Sequence, residues 1–392
     1  MLKRITLIAC LMFIIAAQIL IAKEYSINDK TKMRIPDGIP SGQKIRAVFI
    51  HSTQFDGSNL YEYNKTGNGS STAKTWDKLA ADLGCANMKM NLGYWNRDDS
   101  QETTAKVNEI KSNLKKFAEM SGRPEIEFAP VTMDGLSGAG SAVVWLGLKM
   151  KERVLCIFPH HGRIYYTSQN LTELPTCFVA ASRDEDSRNS DLARQFQTIR
   201  GKSANLFSVV VQPQSPHAQM SHTDHEQDFQ TAFIRHFIDQ RVPKEIPGNK
   251  LPTLMVPKAS DGWVGVYDSY TNSGTRPGIY QNWYLSNPKI VKASQHSGGT
   301  AKTVWLPNEQ IARIWLTYHT TGRVGSEPVA LKPVSASRTA SGNVAAKPYS
   351  IAVFSGIALP MSLNTSAARY DVLGRNIHAR PQSAVSGIML RR

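Results

Sequence analysis

The sequence predicts an α/β fold: a doubly wound, mostly parallel sheet with helices on both faces. Two observations carry this. Between Lys44 and Arg241, short β-like runs alternate with amphipathic helical patterns. The runs are apolar at successive positions, as strands buried on both faces must be. Composition agrees: 392 residues, 41% hydrophobic and 20% charged, describe a globular chain with room for one large domain or two smaller ones.

The elements follow in order. Residues 45–50 form a strand. Residues 75–83 form a helix with Trp76, Leu79, Ala80 and Leu83 on one face. A longer helix, 102–120, carries Val107, Ile110, Leu114 and Phe117 at helical spacing. Residues 126–131 are expected as a strand leading to a tight turn, and 142–150 as a buried helix. Strands are expected at 153–158, 176–181 and 206–211, with helices at 191–201 and 228–241.

In such a sheet the chemistry collects just beyond the carboxyl ends of the strands. After 45–50 come His51, Ser52, Thr53 and Gln54. After 126–131 comes Thr132-Met133-Asp134-Gly135-Leu136-Ser137-Gly138-Ala139-Gly140. A serine among small residues, between a strand and an apolar helix, has the pattern of a nucleophile elbow. Small neighbours let the strand and helix meet closely, and the N–H of Gly138 is placed to stabilise an oxyanion. The usual second glycine is Ala139 here, with Gly140 one position later. After 176–181 come Arg183, Asp184, Glu185 and Asp186. After 206–211 comes Gln212-Pro213-Gln214-Ser215-Pro216-His217, with His222 and His225 beyond.

Nucleophile, acid and histidine thus occur in the chain order Ser, Asp, His, each past a strand. Asp184 falls soonest after its strand, with Glu185 and Asp186 as rivals; His217 stands ahead of His222 and His225 for the same reason. A serine hydroxyl needs a base to take its proton, and a histidine titrates near neutrality. A carboxylate behind it fixes the imidazole tautomer and stabilises the imidazolium.

On these residues, the region from about 40 to 245 resembles the α/β-hydrolase superfamily, in particular secreted esterases of the feruloyl-esterase and polyhydroxybutyrate-depolymerase-like group. The resemblance implies Ser137 as nucleophile, Asp184 as acid and His217 as base. It implies oxyanion donors at Gly138 and in the His51–Gln54 loop, taken at Ser52. The departures are Ala139 and the lack of a Gly-rich loop after His51. The implied activity is a serine carboxylic-ester hydrolase without metal or cofactor, acting on acetyl or feruloyl esters of polysaccharide. Lipase or peptidase chemistry on the same fold, and a non-catalytic protein binding a surface polymer, are the alternatives.

Several further features are read from the chain. Lys3-Arg4 followed by an apolar run to Ala22 has the form of a signal peptide over 1–23, or of a membrane anchor. Export to the cell surface or medium is therefore expected. Cys85, Cys156 and Cys177, odd in number beyond the leader, form no disulfide framework. The run containing His217, His222, Asp224 and His225 matches no defined metal spacing. His160 and His161 line a cleft or a packed loop; Tyr94 and Trp95 form a substrate wall or core. The net charge of +15 comes with no nucleic-acid motif. Residues 250–330, rich in aromatics, are expected as an extension packed on the hydrolase, with a carbohydrate-binding module as the alternative. The run 303–307 is expected to open a helix through about Thr320. Residues 331–347 have a linker composition. Residues 348–392, with Tyr370-Asp371-Val372-Leu373-Gly374-Arg375, resemble small C-terminal β-modules used for sorting, the type IX secretion kind among them. The secretion machinery is the implied partner.

Overall fold

A computed structural model describes residues 23–40, 42–52, 72–93, 100–166, 169–202, 204–212, 217, 224–272 and 283–321. All belong to one compact unit, Met1–Val329. The expected leader up to residue 22, Thr53, Gln54, Tyr94, Trp95, His222 and the linker and β-module over 331–392 lie outside the described residues. So does the side chain of His225.

Eight strands form the main sheet. They are β1 (Lys23–Asn28), β2 (Thr31–Ile35), β3 (Val48–Ser52), β4 (Ala86–Lys89), β5 (Val131–Leu136), β6 (Val154–His160), β7 (Thr176–Ala181) and β8 (Phe207–Gln212). Their spatial order is β1-β2-β4-β3-β5-β6-β7-β8. β2 is antiparallel to both β1 and β4, and every pairing from β4 to β8 is parallel. This is the sheet of the α/β-hydrolase fold. Each parallel step requires a crossover, supplied by helices except between β6 and β7, where the described residues form none. α1 (Thr72–Leu83) packs on α5 (Asp224–Arg241), and α2 (Ser100–Ser121) packs on α3 (Gly138–Lys149). α4 (Asp186–Arg200) joins β7 to β8.

β3 and β5 through β8 are buried at every residue but Leu136, as continuous apolar runs demand. Cys85, Cys156 and Cys177 are buried and unbridged. Among the described residues no helix is long and apolar enough to cross a membrane.

The strand expected at 126–131 is displaced. Pro124–Phe128 forms a 3-10 turn, and β5 begins only at Val131. Pro124 and Pro130 cannot donate to a ladder. Glu125 is buried with its carboxylate accepting the N–H of Ile45 at 3.0 Å, which holds the turn in place. β5 therefore runs directly into Ser137. β3 extends through Ser52, so His51 and Ser52 are strand residues and not loop residues. β6 likewise extends to His160.

The C-terminal part of the described chain adds short antiparallel strands. β9 (Trp263–Val266) lies between β12 (Lys289–Lys292) and β13 (Thr303–Leu306); β10 (Tyr270–Asn272) pairs with β11 (Trp283–Leu285). The helix expected to open at 303 is preceded by β13. It begins at α6 (Glu309–Thr321), after Pro307 and with Asn308 Oδ1 accepting the N–H of Ile311 at 2.8 Å. Trp305 and Trp315 join the core that the sheet helices share. The hydroxyl of Ser208 on β8 donates to the carbonyl of Trp305, and Trp315 Nε1 donates to the carbonyl of Val209 at 2.8 Å.

Candidate active site

The site is built around a strained turn. Ser137 follows β5 directly and caps α3 with φ 57° and ψ −119°. Positive φ is uncommon for a residue with a Cβ and persists only where its surroundings hold it. Here the N–H of Ser137 donates to the carbonyl of His160 at 2.8 Å, and its own carbonyl accepts the N–H of Gly140 at 3.0 Å.

The packing of this turn accounts for its composition. A Cβ on Gly135 would lie 2.5 Å from the carbonyl oxygen of Ala139. A Cβ on Gly140 would lie 3.0 Å from the oxygen of Gly135 and 3.1 Å from that of His160. The tight approach of helix to neighbouring strand thus falls on Gly140, one residue later than the usual pattern has it. Ala139 is fully buried, and its carbonyl, with its methyl behind, closes over the space left by the missing side chain of Gly135.

Ser137, His217 and Asp184 come together although 80 and 33 residues separate them from one to the next. His217 Nε2 lies 2.9 Å from Ser137 Oγ, and His217 Nδ1 lies 2.8 Å from Asp184 Oδ2. The Asp184 side chain is 1% exposed and that of His217 31% exposed, so the acid is sealed while the imidazole faces outward. The second oxygen of Asp184 accepts the N–H of Glu185 at 2.7 Å and Nε of Arg188 at 3.0 Å.

The rivals of Asp184 are otherwise engaged. Glu185 is exposed and makes a 3.6 Å ion pair with Arg188. Asp186 accepts Nε1 of Trp283 on β11 at 3.1 Å.

The chain is similar to solved esterases and serine hydrolases. An esterase domain from Rhodothermus marinus shares 14% identity, with a TM-score of 0.37, over 56% of this chain and 100% of that one. Est1E from Butyrivibrio proteoclasticus shares 11% identity, with a TM-score of 0.35, over 56% and 99%. FphF, a fluorophosphonate-binding serine hydrolase from Staphylococcus aureus, shares 10%, with a TM-score of 0.34, over 55% and 97%. No protein-family model and no curated protein sequence matches the chain.

Of the two expected oxyanion donors, Gly138 is the first residue of α3 and fully enclosed. Its N–H has no carbonyl one turn back inside the helix to pair with. Ser52 ends β3 in register with Gly135, buried, with its hydroxyl accepting the N–H of Leu92 at 2.9 Å. Among the described residues no three His, Cys, Asp or Glu side chains cluster as a metal site would require.

Two residues beside the site are given no catalytic role by the sequence, His161 being read only as lining a cleft or packed loop. Arg188 stands four residues after Asp184 at the start of α4, an i,i+4 acid–base spacing visible in the chain. His161 is fully buried, with φ 48°, and its Nδ1 lies 3.2 Å from the carbonyl of His217. Its contacts depend on tertiary proximity, and no local pattern announces them.

A second histidine–carboxylate pair lies one strand over. His51 Nδ1 is 2.9 Å from Asp134 Oδ2, both being buried in register on β3 and β5. Burial works against a charged imidazole here. The Asp134 carboxylate, helped by Asn87 and Asp77, outweighs it and holds His51 above the ordinary histidine value.

Proposed function

We propose that this protein is a serine carboxylic-ester hydrolase working through an acyl-enzyme. The observation that carries the reading is the unbroken chain Ser137 Oγ–His217 Nε2–His217 Nδ1–Asp184, at 2.9 and 2.8 Å, behind a strained elbow. In this reading Ser137 Oγ bonds the ester carbonyl carbon as its proton passes to His217 Nε2. The carbonyl π electrons move to oxygen, and the Gly138 N–H donates to that oxyanion. Collapse breaks the bond to the alcohol oxygen, which takes the proton from His217. Water then attacks the acyl-serine, gives its proton to His217, and Ser137 leaves with that proton. Asp184 holds the Nδ1–H tautomer.

The substrate class we propose is an acetyl or feruloyl ester of polysaccharide, reached outside the cell after export directed by residues 1–23. The C-terminal segment 348–392 would engage the secretion machinery. The basis is the sequence resemblance of the elbow and its partners, together with the apolar leader.

The reaction is tested with the full chain and two reagents. Hydrolysis of p-nitrophenyl acetate and covalent labelling by a fluorophosphonate probe are both expected, and both are lost in Ser137→Ala. Equal hydrolysis by wild type and Ser137→Ala overturns the reading.

A further inference from the structure

The tripeptide His160-His161-Gly162 touches both ends of the proposed proton path. The carbonyl of His160 accepts the N–H of Ser137 at 2.8 Å. A Cβ on Gly162 would lie 2.6 Å from the carbonyl oxygen of Ser137, so this segment lies directly against the elbow. Between them His161 turns the other way. Its positive φ departs from the strand, and its N–H donates to the carbonyl of Val179 on β7 at 2.8 Å. The imidazole then reaches across 56 residues of sequence, with Nδ1 lying 3.2 Å from the carbonyl of His217. Nε2 lies 2.8 Å from the side-chain oxygen of Gln212, at the end of β8. A carbonyl only accepts, so His161 Nδ1 donates to His217; a neutral imidazole then accepts at Nε2, which requires the Gln212 amide to present its nitrogen there.

We propose that His161 is a positioning residue that sets the backbone of His217 at a fixed distance from Ser137. Three features support it. The residue is fully buried, so its ring is held by packing. Its neighbours in sequence anchor the nucleophile while its own ring anchors the base. The carbonyl it binds belongs to the residue whose imidazole must remain 2.9 Å from Ser137 Oγ. A displacement of the base by about 1 Å is enough to cost on the order of 10²-fold in rate. The inference rests on the reading of Ser137, His217 and Asp184 as a triad.

The test separates the two ring nitrogens. His161→Gln keeps a polar group near the position of Nε2 but withdraws the donor at Nδ1. His161→Asn keeps a donor near the position of Nδ1. Using the full chain, the rate of fluorophosphonate labelling and the kcat and KM for p-nitrophenyl acetate are measured beside the thermal midpoint. The expected result is a fall in labelling rate and kcat of roughly ten- to a hundredfold for His161→Gln, with KM within about twofold. His161→Asn is expected to recover most of that loss. Wild-type labelling by His161→Gln, or equal impairment of His161→Asn and His161→Gln, overturns the proposal. Ser137→Ala is run in parallel: if it hydrolyses ester as wild type does, the triad reading fails instead, whatever the His161 variants do.

Discussion

Arg188 donates through Nε to Asp184 Oδ1 at 3.0 Å, on the oxygen that His217 leaves free. The carboxylate is therefore gripped from both sides, by an imidazole and by a guanidinium.

Removing Arg188 leaves a sealed carboxylate with one charged neighbour fewer and freer to rotate. Arg188→Gln is expected to lower kcat for p-nitrophenyl acetate about tenfold, with little change in KM. Asp184→Asn should cost far more, on the order of 10³–10⁴ in kcat, because the wrong tautomer is held at His217. Steady-state kinetics on the two variants distinguishes positioning from participation.

The displaced glycine of the elbow makes a pair of opposed expectations. Ala139→Gly, which restores the usual pattern, should leave kcat within about twofold and cost about 0.5–1 kcal/mol in helix stability. Gly135→Ala forces a methyl to within 2.5 Å of a backbone oxygen and should cost about 1–3 kcal/mol or more, with loss of labelling at Ser137. Urea unfolding of both variants measures the difference.

Acid should loosen the contact between α5 and α6. His236 on α5 is held down to about 4, first by burial, and its Nδ1 lies 2.9 Å from the side-chain nitrogen of Asn308 just before α6. An unfolded histidine titrates at 6.5. As the pH falls below that value, the unfolded chain takes up a proton that the folded chain refuses until about 4. Stability is thus intact above 6.5 and declines across this window, by at most about 3 kcal/mol for this one group. Unfolding free energies at pH 7, 5.5 and 4.5 should show the slope, and His236→Gln should flatten part of it.

Trp283 ties the antiparallel region to the loop of the acid. Its backbone N–H donates to the carbonyl of Ser182 at 2.9 Å and its indole donates to Asp186 at 3.1 Å, on either side of Asp184. Trp283→Phe should keep much of the packing and lower the rate of Ser137 labelling several-fold; no change in that rate would show the acid loop to be held without it. Probe labelling against time reads this directly.

Much of the site was legible because the fold puts chemistry where strands end. Ser137, Asp184 and His217, which the structure brings within hydrogen-bond distance, stand out by order and position, with Glu185, Asp186, His222 and His225 as rivals, since buried apolar strands announce their own carboxyl ends. What was hidden depends on distance in space. Glu125 fixes a 3-10 turn through the amide of Ile45, eighty residues away, so a β-like run at 126–131 did not become strand. β4 is fully buried yet includes Asn87 and Lys89, so its polarity concealed it. β1 and β2 are short and carry polar residues at alternate positions. Arg188 was available from its spacing to Asp184; His161 reads in the sequence only as lining a cleft or packed loop, and its contacts with His217 and Gln212 lie across the sheet, beyond any local pattern.

The indole of Trp315 and the hydroxyl of Ser208 have a consequence beyond the core. β8 is the last strand of the main sheet, and a last strand presents open backbone groups to any passing chain. Trp315 occupies the carbonyl of Val209, and Ser208 anchors Trp305 alongside. The extension from Trp263 onward thus covers part of this edge. A chain cut back before Trp263 would lose these contacts on β8 together with those of Trp283 beside Asp184, so turbidity and slower probe labelling are both expected.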